Sequence, residues 1–365
     1  MICFNFTFCA VLKKVDYIIV GQGLAGSAVA VQLLRTGRRI LVIDQPDRNN
    51  SSRIAAGLFN PVTGRKMVKT WLADTLFPYL HTFYRDVERR TATEFLHSVE
   101  LYRPFVSIEE QNEWMAKSDD PAFRSFVGRV ETSPWLDGIR DEFGGLRLRA
   151  CGYLDTKQFI RAVASWIEQD GELLAGKFDF GRLQLEERVI RYDGYEAEKL
   201  IFCTGVHENP LFRWLPVRSL KGETLSVTAD FDCNLIVNRG VYLLKLPEGG
   251  TWRVGSTYNF TDTAPGVTGE GRAELERKLS QLTDFPYTVV DQQWGLRPTT
   301  PDRRPILGAH PRNNRVFVFN GLGTKGVSLA PYFSEVLIRS IENEGALNKE
   351  VDIERYKSLY WNSPE

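Results

Sequence analysis

The stretch from Val15 to Asp44, VDYIIVGQGLAGSAVAVQLLRTGRRILVID, constrains this chain more than any other. Val15 to Val20 is a short apolar run of strand-forming residues. Gly21, Gly23 and Gly26 follow in the spacing GxGxxG. Leu24 to Arg35 has helical periodicity and ends before Gly37. Arg39 to Ile43 reads as a second strand, closed by Asp44. This order predicts the βαβ start of a dinucleotide-binding fold. Gly21 supplies the tight turn, and Gly23 lets a pyrophosphate approach the backbone. Leu24 and Ala25 open a helix whose free N–H groups and dipole favour phosphate. Gly26 lets helix and strand pack closely. Asp44, with Gln45 beside it, stands at the distance where a carboxylate meets ribose hydroxyls.

A second set of glycines lies near the other end, in RVFVFNGLGTKGVSLAPYFSEVLIRSI. Val316 to Phe319 reads as a strand, and a helix begins at about Val327. Gly321, Gly323 and Gly326 again spell GxGxxG, with Thr324 and Lys325 inside the turn. Too little chain follows for a second nucleotide fold, and no later strand ends in an acidic residue. What remains is a helix N-terminus presented by glycines. Pro331 is tolerated there because it falls near the first turn. Such an end, aimed at a ligand held by the first unit, suits a flavin ring. It would stabilise negative charge on the ring's pyrimidine side, and Lys325 would add a full charge. The competing expectation is a capped surface helix with Lys325 in water. Between these units, EKLIFCTG reads as a strand ending at Thr204 and Gly205, where backbone can approach a cofactor.

Composition bounds the function. With 365 residues the chain has room for two domains. Lys plus Arg and Asp plus Glu balance at 46 each, which argues against a dedicated nucleic-acid or membrane-surface binder. The five cysteines include no CxxC pair and the four histidines are scattered, so no metal is expected. Reduced thiols point to the cytoplasm. In residues 1–13 the basic residues follow the apolar part, so they read as an extension and not a signal peptide. No run approaches the ~18 apolar residues of a spanning helix.

Arg297 lies in QQWGLRPTTPDRRPILGAHP, flanked by Leu296 and Pro298. A guanidinium in such a setting is costly unless an anion or several acceptors meet it. Asp302 would make it structural, and a ligand carboxylate would make it functional.

Taken in order, these segments resemble the D-amino-acid oxidase-like FAD oxidoreductases, a family that includes glycine oxidase and sarcosine oxidase. The resemblance runs from VGQGLAG through SSRIAAGLFNP, YLDTKQFIRAVASWIEQDGELL, IFCTG, LPVRSLKGETLSV, GVYLLKLPEGGTWRVGST and GLRPTTPDRRPILG to NGLGTKGVSLAP. It implies an α/β fold: a Rossmann-type FAD-binding domain with an interleaved substrate domain built on an antiparallel sheet. The FAD domain would draw on residues 14–90, 150–215 and 296–345. The substrate domain would take 91–149 and 216–295, leaving 346–365 as a tail. Ala55, Ala56 and Gly57 look like the family's small-residue segment passing the flavin. Arg297 matches the position that binds a substrate carboxylate, and Tyr242 matches a substrate-facing tyrosine in glycine-oxidase-like members. Against these roles stand a structural salt bridge for Arg297 and a core aromatic for Tyr242.

The implied reaction is oxidation of the C–N bond of a small amino acid or N-substituted glycine. A hydride passes to flavin N5 and the imine then hydrolyses. This needs position and electrostatics more than a general base. Dioxygen is one acceptor the resemblance allows. The segment after Gly57, NPVTGRKMVKTWLADTLFPYLHTFYRDVERR, is unusually basic and aromatic for a small-amino-acid oxidase. A rival comes from a second resemblance: GLGTKGVSLAP looks similar to the C-terminal motif of the FAD domain that remodels a wobble-uridine side chain of tRNA, with Arg65 to Lys69 then touching RNA and the zero net charge standing against it. A flavin hydroxylase is a weaker rival, since the chain has no Gly-Asp dipeptide. A non-catalytic flavin-binding protein is the third.

Overall fold

The computed structural model describes residues 12–45, 51–64, 66–246 and 250–362. Most of the expected N-terminal extension lies outside these residues, as does Arg65. Two eight-stranded sheets organise the described chain.

The first sheet grows around strand Lys13–Val20, which runs parallel to Ile40–Asp44 on one side and to Tyr195–Phe202 on the other. Its side chains alternate. Tyr17 and Ile19 enter a core shared with helices Leu24–Arg35, Ala73–Thr91, Thr156–Asp170 and Gly326–Ile341. Ile18 and Val20 enter a second core on the opposite face, with Phe178, Trp214 and Ile353. A strand buried on both faces reads as a continuous apolar run, as this one does. Helix Leu24–Arg35 has the bounds its periodicity predicts. The strand before it starts two residues earlier than expected, because Lys13 and Lys14 pair with Tyr195 and Glu196 while their side chains stay exposed.

The late glycine segment completes this sheet and does not found another. Strand Asn313–Asn320 lies parallel to Tyr195–Phe202 and antiparallel to Ile306–His310. Beyond residue 345 the chain is bound to the core: Val351 and Ile353 are buried, and Leu307 N donates to the Val351 carbonyl at 2.9 Å.

The second sheet has the strand order Tyr287–Thr299, Arg218–Ala229, Trp252–Gly255, Val241–Lys245, Ile236–Arg239, Leu101–Pro104, Gly145–Leu148 and Val127–Glu131. Its pairings are antiparallel except that between Ile236–Arg239 and Leu101–Pro104. Leu225, Val227, Leu243 and Val254 pack with Leu275 and Leu279 of helix Gly269–Ser280. The alternate positions, Thr224 and Tyr242 among them, turn to the other face and line a cavity shared with the first sheet. Period-two alternation thus separates core from site along the same strands.

Candidate functional site

The cavity has a volume of about 1050 Å³ and runs from the glycine turn of the first sheet to the second sheet. Gly21, Gly23, Leu24, Ala25, Asp44 and Gln45 line its first end. Gly21 has φ +96°, and a Cβ there would fall 2.6 Å from the Cys203 carbonyl oxygen. Gly26 does not line the cavity. It packs beneath, where a Cβ would lie 1.8 Å from the Gly21 carbonyl oxygen. The buried Asp44 Oδ1 accepts from Gln22 N at 2.8 Å, and Oδ2 lies 3.7 Å from Arg53 Nη2.

Ala55, Ala56, Gly57, Thr204 and Gly205 line the middle. Gly57 has φ +70°, and a Cβ would sit 1.9 Å from the Leu154 carbonyl oxygen. Asn320 Nδ2 donates to the Gly205 carbonyl at 2.8 Å, which ties the two strand ends together.

Gly323, Thr324 and Gly326 line the cavity at the start of helix Gly326–Ile341. Gly321 sits behind them, with φ +75° and a prospective Cβ 2.6 Å from Thr300 Cγ2. Gly323 N donates to the Pro298 carbonyl at 2.7 Å. Lys325 departs from expectation. Its side chain does not line the cavity, and its ammonium donates to Thr63 Oγ1 and Thr70 Oγ1, both at 3.3 Å. Burial, helped by Arg304 and Arg303, lowers its pKa from the ordinary lysine value. The helix start presents residues 324 and 326 to the cavity while the two threonine hydroxyls receive Lys325.

Arg297 reaches the far end of the cavity, on strand Tyr287–Thr299. Its guanidinium lies over Gly222, where a Cβ would be 2.1 to 2.3 Å from Nη1, Nη2 and Cζ. Nη2 donates to Ser256 Oγ at 2.8 Å and Nη1 to the Thr257 carbonyl at 3.3 Å. The Tyr258 ring centroid is 5.2 Å from Cζ. Asp302 is not its partner: Asp302 Oδ2 accepts from Arg355 Nε at 2.9 Å, and Oδ1 accepts from Arg304 N. Tyr242 lines the same end, its hydroxyl 2.5 Å from where a Gly255 Cβ would stand. Burial pushes this phenol up to about 12, against the pull of Arg253 and Arg297. It is therefore a protonated donor at neutral pH.

Sequence reasoning missed Gly222, Gly255, Ser256 and Tyr258. The first two carried a signal. A glycine inside an alternating strand marks a close approach, here of side chains crossing the sheet.

Two helices thus begin at one cavity; their N-cap residues, Gly23 and Lys325, supply no side-chain cap, and Leu24 N donates to Ser52 Oγ at 3.1 Å. Helix N-termini, with their positive dipole ends, at both ends of the cavity suit a long ligand with a pyrophosphate at one end and an electron-rich ring at the other. The glycine cradle and buried Asp44 fit the adenosine half of FAD. Residues 16–339 match the family model for FAD-dependent oxidoreductases. The chain belongs to that family. A glycine oxidase of Bacillus licheniformis is 26% identical over 354 residues, covering 89% of this chain and 92% of that protein. A tRNA 5-methylaminomethyl-2-thiouridine biosynthesis bifunctional protein of Marinobacter nauticus is 25% identical over 354 residues. There the match covers 88% of this chain and 54% of the relative, so this FAD-dependent oxidoreductase spans about half of that protein. The crystal structure of an iminodiacetate oxidase from a Chelativorans species superposes with a TM-score of 0.76 at 20% identity, covering 93% of this chain and 98% of that one. Among the described residues no group of His, Cys, Asp and Glu could hold a metal, and no helix is long and apolar enough to cross a membrane.

Proposed function

We propose that this FAD-dependent oxidoreductase oxidises the C–N bond of a small amine that carries a carboxylate, an amino acid or an N-substituted glycine. The observation that carries the reading is Arg297. It faces a cavity shared with two helix N-termini, and among the described residues its hydrogen-bond partners are neutral oxygens. Two of its five N–H groups are used, so the remainder are available to a carboxylate in the paired geometry guanidinium favours. Tyr242 donates a second hydrogen bond to the same carboxylate. The cavity wall supplied by the second sheet includes no acid or histidine, which suits a reaction that needs no protein base at the carbon.

FAD, when bound, supplies N5 as the acceptor of the hydride leaving the substrate carbon. The chain's own part is to fix that carbon through Arg297 and Tyr242. The dipole of helix Gly326–Ile341, which begins at this cavity, favours negative charge at the opposite side. As the hydride leaves, the nitrogen lone pair closes the C=N bond, and water then divides the imine into an amine and a carbonyl compound.

The test is reduction of the purified holoenzyme without air, followed in the visible flavin band. The panel holds glycine, sarcosine, D- and L-amino acids, proline and N-substituted glycines. Bleaching by one class, lost in Arg297→Ala, is the expected result. A yellow protein that no member reduces would overturn the free-amine reading and direct attention to a modified tRNA uridine, the chemistry named for the Marinobacter relative.

A further inference from the structure

A second arginine sits behind the same end of the cavity. Arg253 is on strand Trp252–Gly255, two residues before Gly255, and so shares the cavity-facing side of the sheet. Its Nη1 lies 3.0 Å from Gln293 Oε1, 3.3 Å from the Ile54 carbonyl oxygen and 3.5 Å from Thr224 Oγ1. All three acceptors are neutral. Its Nε is sealed from solvent and has no acceptor among the described residues. Ile54 and Thr224 are themselves cavity-lining residues, so the guanidinium stands directly behind the wall.

The charge balance at this end is one-sided. Neither Arg253 nor Arg297 has a carboxylate within 4.0 Å among the described residues. Both pull the Tyr242 phenol down, against its burial and the neighbouring Tyr258 phenol. Elsewhere on the second sheet Lys221 meets Asp262 at 3.0 Å and Arg239 meets Glu110 at 2.8 Å, while the buried Arg103, far along the sheet, also has an Nε without an acceptor among the described residues. Two half-buried guanidinium groups around one phenol, both without a counter-ion, are costly for a protein to keep. A substrate with one carboxylate offsets one of them.

We propose that the substrate is a dianionic amine, an amino-dicarboxylate or N-carboxymethyl amino acid, with one carboxylate on Arg297 and the second drawn to the wall that Arg253 backs. This rests on the amine-oxidation reading and narrows its substrate class. The bland account of Arg253 is a tether that holds the helix Ser51–Ile54 on the sheet through the Ile54 carbonyl.

The test compares ligands that differ by one carboxylate. Sarcosine and iminodiacetate are the oxidisable pair. Methylthioacetate and thiodiacetate are the matching pair with no C–N bond to oxidise, and their binding is read from perturbation of the visible flavin band of the holoenzyme. The dicarboxylate of each pair is expected to bind at least about tenfold tighter. Arg253→Met should narrow that ratio to within about threefold, and Arg253→Lys should restore most of it. Equal binding within the pairs for the unaltered protein overturns the proposal, and needs no variant to fold. A ratio unchanged by Arg253→Met overturns it too and leaves the tether. Selective binding of thiodiacetate with no amine reducing the flavin would sustain the dianion site while refuting amine oxidation. Reduction by sarcosine with equal binding in both pairs would do the reverse.

Discussion

Gly222→Ala is the most incisive perturbation of the carboxylate seat. The new Cβ would lie 2.1 Å from Arg297 Nη1, 2.2 Å from Nη2 and 2.3 Å from Cζ. Ordinary contact begins at about 3.5 Å, so the guanidinium must rise from the sheet by roughly 1.3 Å. That movement lengthens the 2.8 Å bond to Ser256 Oγ and the 3.3 Å bond to the Thr257 carbonyl beyond hydrogen-bond range. It also displaces the group that fixes the reacting carbon. A misplacement of about 1 Å costs on the order of 10²-fold, equivalent to ~2.7 kcal/mol of transition-state binding. Stopped-flow reduction without air should show that loss in the ratio of limiting rate to dissociation constant, while FAD remains bound. Gly269→Ala, where an added Cβ meets nothing within 4 Å, is the matched control. If Gly222→Ala reduces its flavin with the unaltered rate and affinity, Arg297 does not seat the substrate from this position, and the reasoning fails.

Four further outcomes are expected. Tyr242→Phe removes one hydrogen bond to the carboxylate and should weaken substrate binding by about three- to tenfold. Because burial raises the Tyr242 phenol to about 12, its proton stays on from neutral pH through pH 10. Titrating the affinity for methylthioacetate, a carboxylate with no amine of its own, should show no break near the ordinary tyrosine pKa, and a break there would mean the hydroxyl is solvated. Gly57→Ala combines φ +70° with a Cβ 1.9 Å from a carbonyl oxygen. It should destabilise the fold by about 3 kcal/mol or more, read as a lowered Tm. Asp44→Asn keeps the shape but loses the charge-assisted acceptor, so FAD affinity measured by apoprotein titration should fall by about tenfold or more.

The sequence made the local parts of this molecule legible and hid the crossings. The first strand, helix Leu24–Arg35 and Asp44 follow from periodicity and glycine spacing within thirty consecutive residues. Arg297 stood out because its neighbours are apolar. Its setting did not, since Ser256 and Thr257 follow a different strand and Gly222 comes from a third. The direction of Lys325 depends on which residue begins the helix, a boundary that composition leaves open by a residue or two. The stretch from 346 onward shows no clear strand in its sequence and so reads as a tail, yet Val351 and Ile353 are buried and Asp352 pairs with Leu307 of strand Ile306–His310.

The hydrogen bond from Gly323 N to the Pro298 carbonyl has a geometric consequence. Pro298 directly follows Arg297, so one peptide unit connects the proposed anchor of the substrate to the turn that opens helix Gly326–Ile341. The spacing between the proposed carboxylate seat and the helix start is therefore gauged by a single residue, in the way a caliper's jaws are set by one screw.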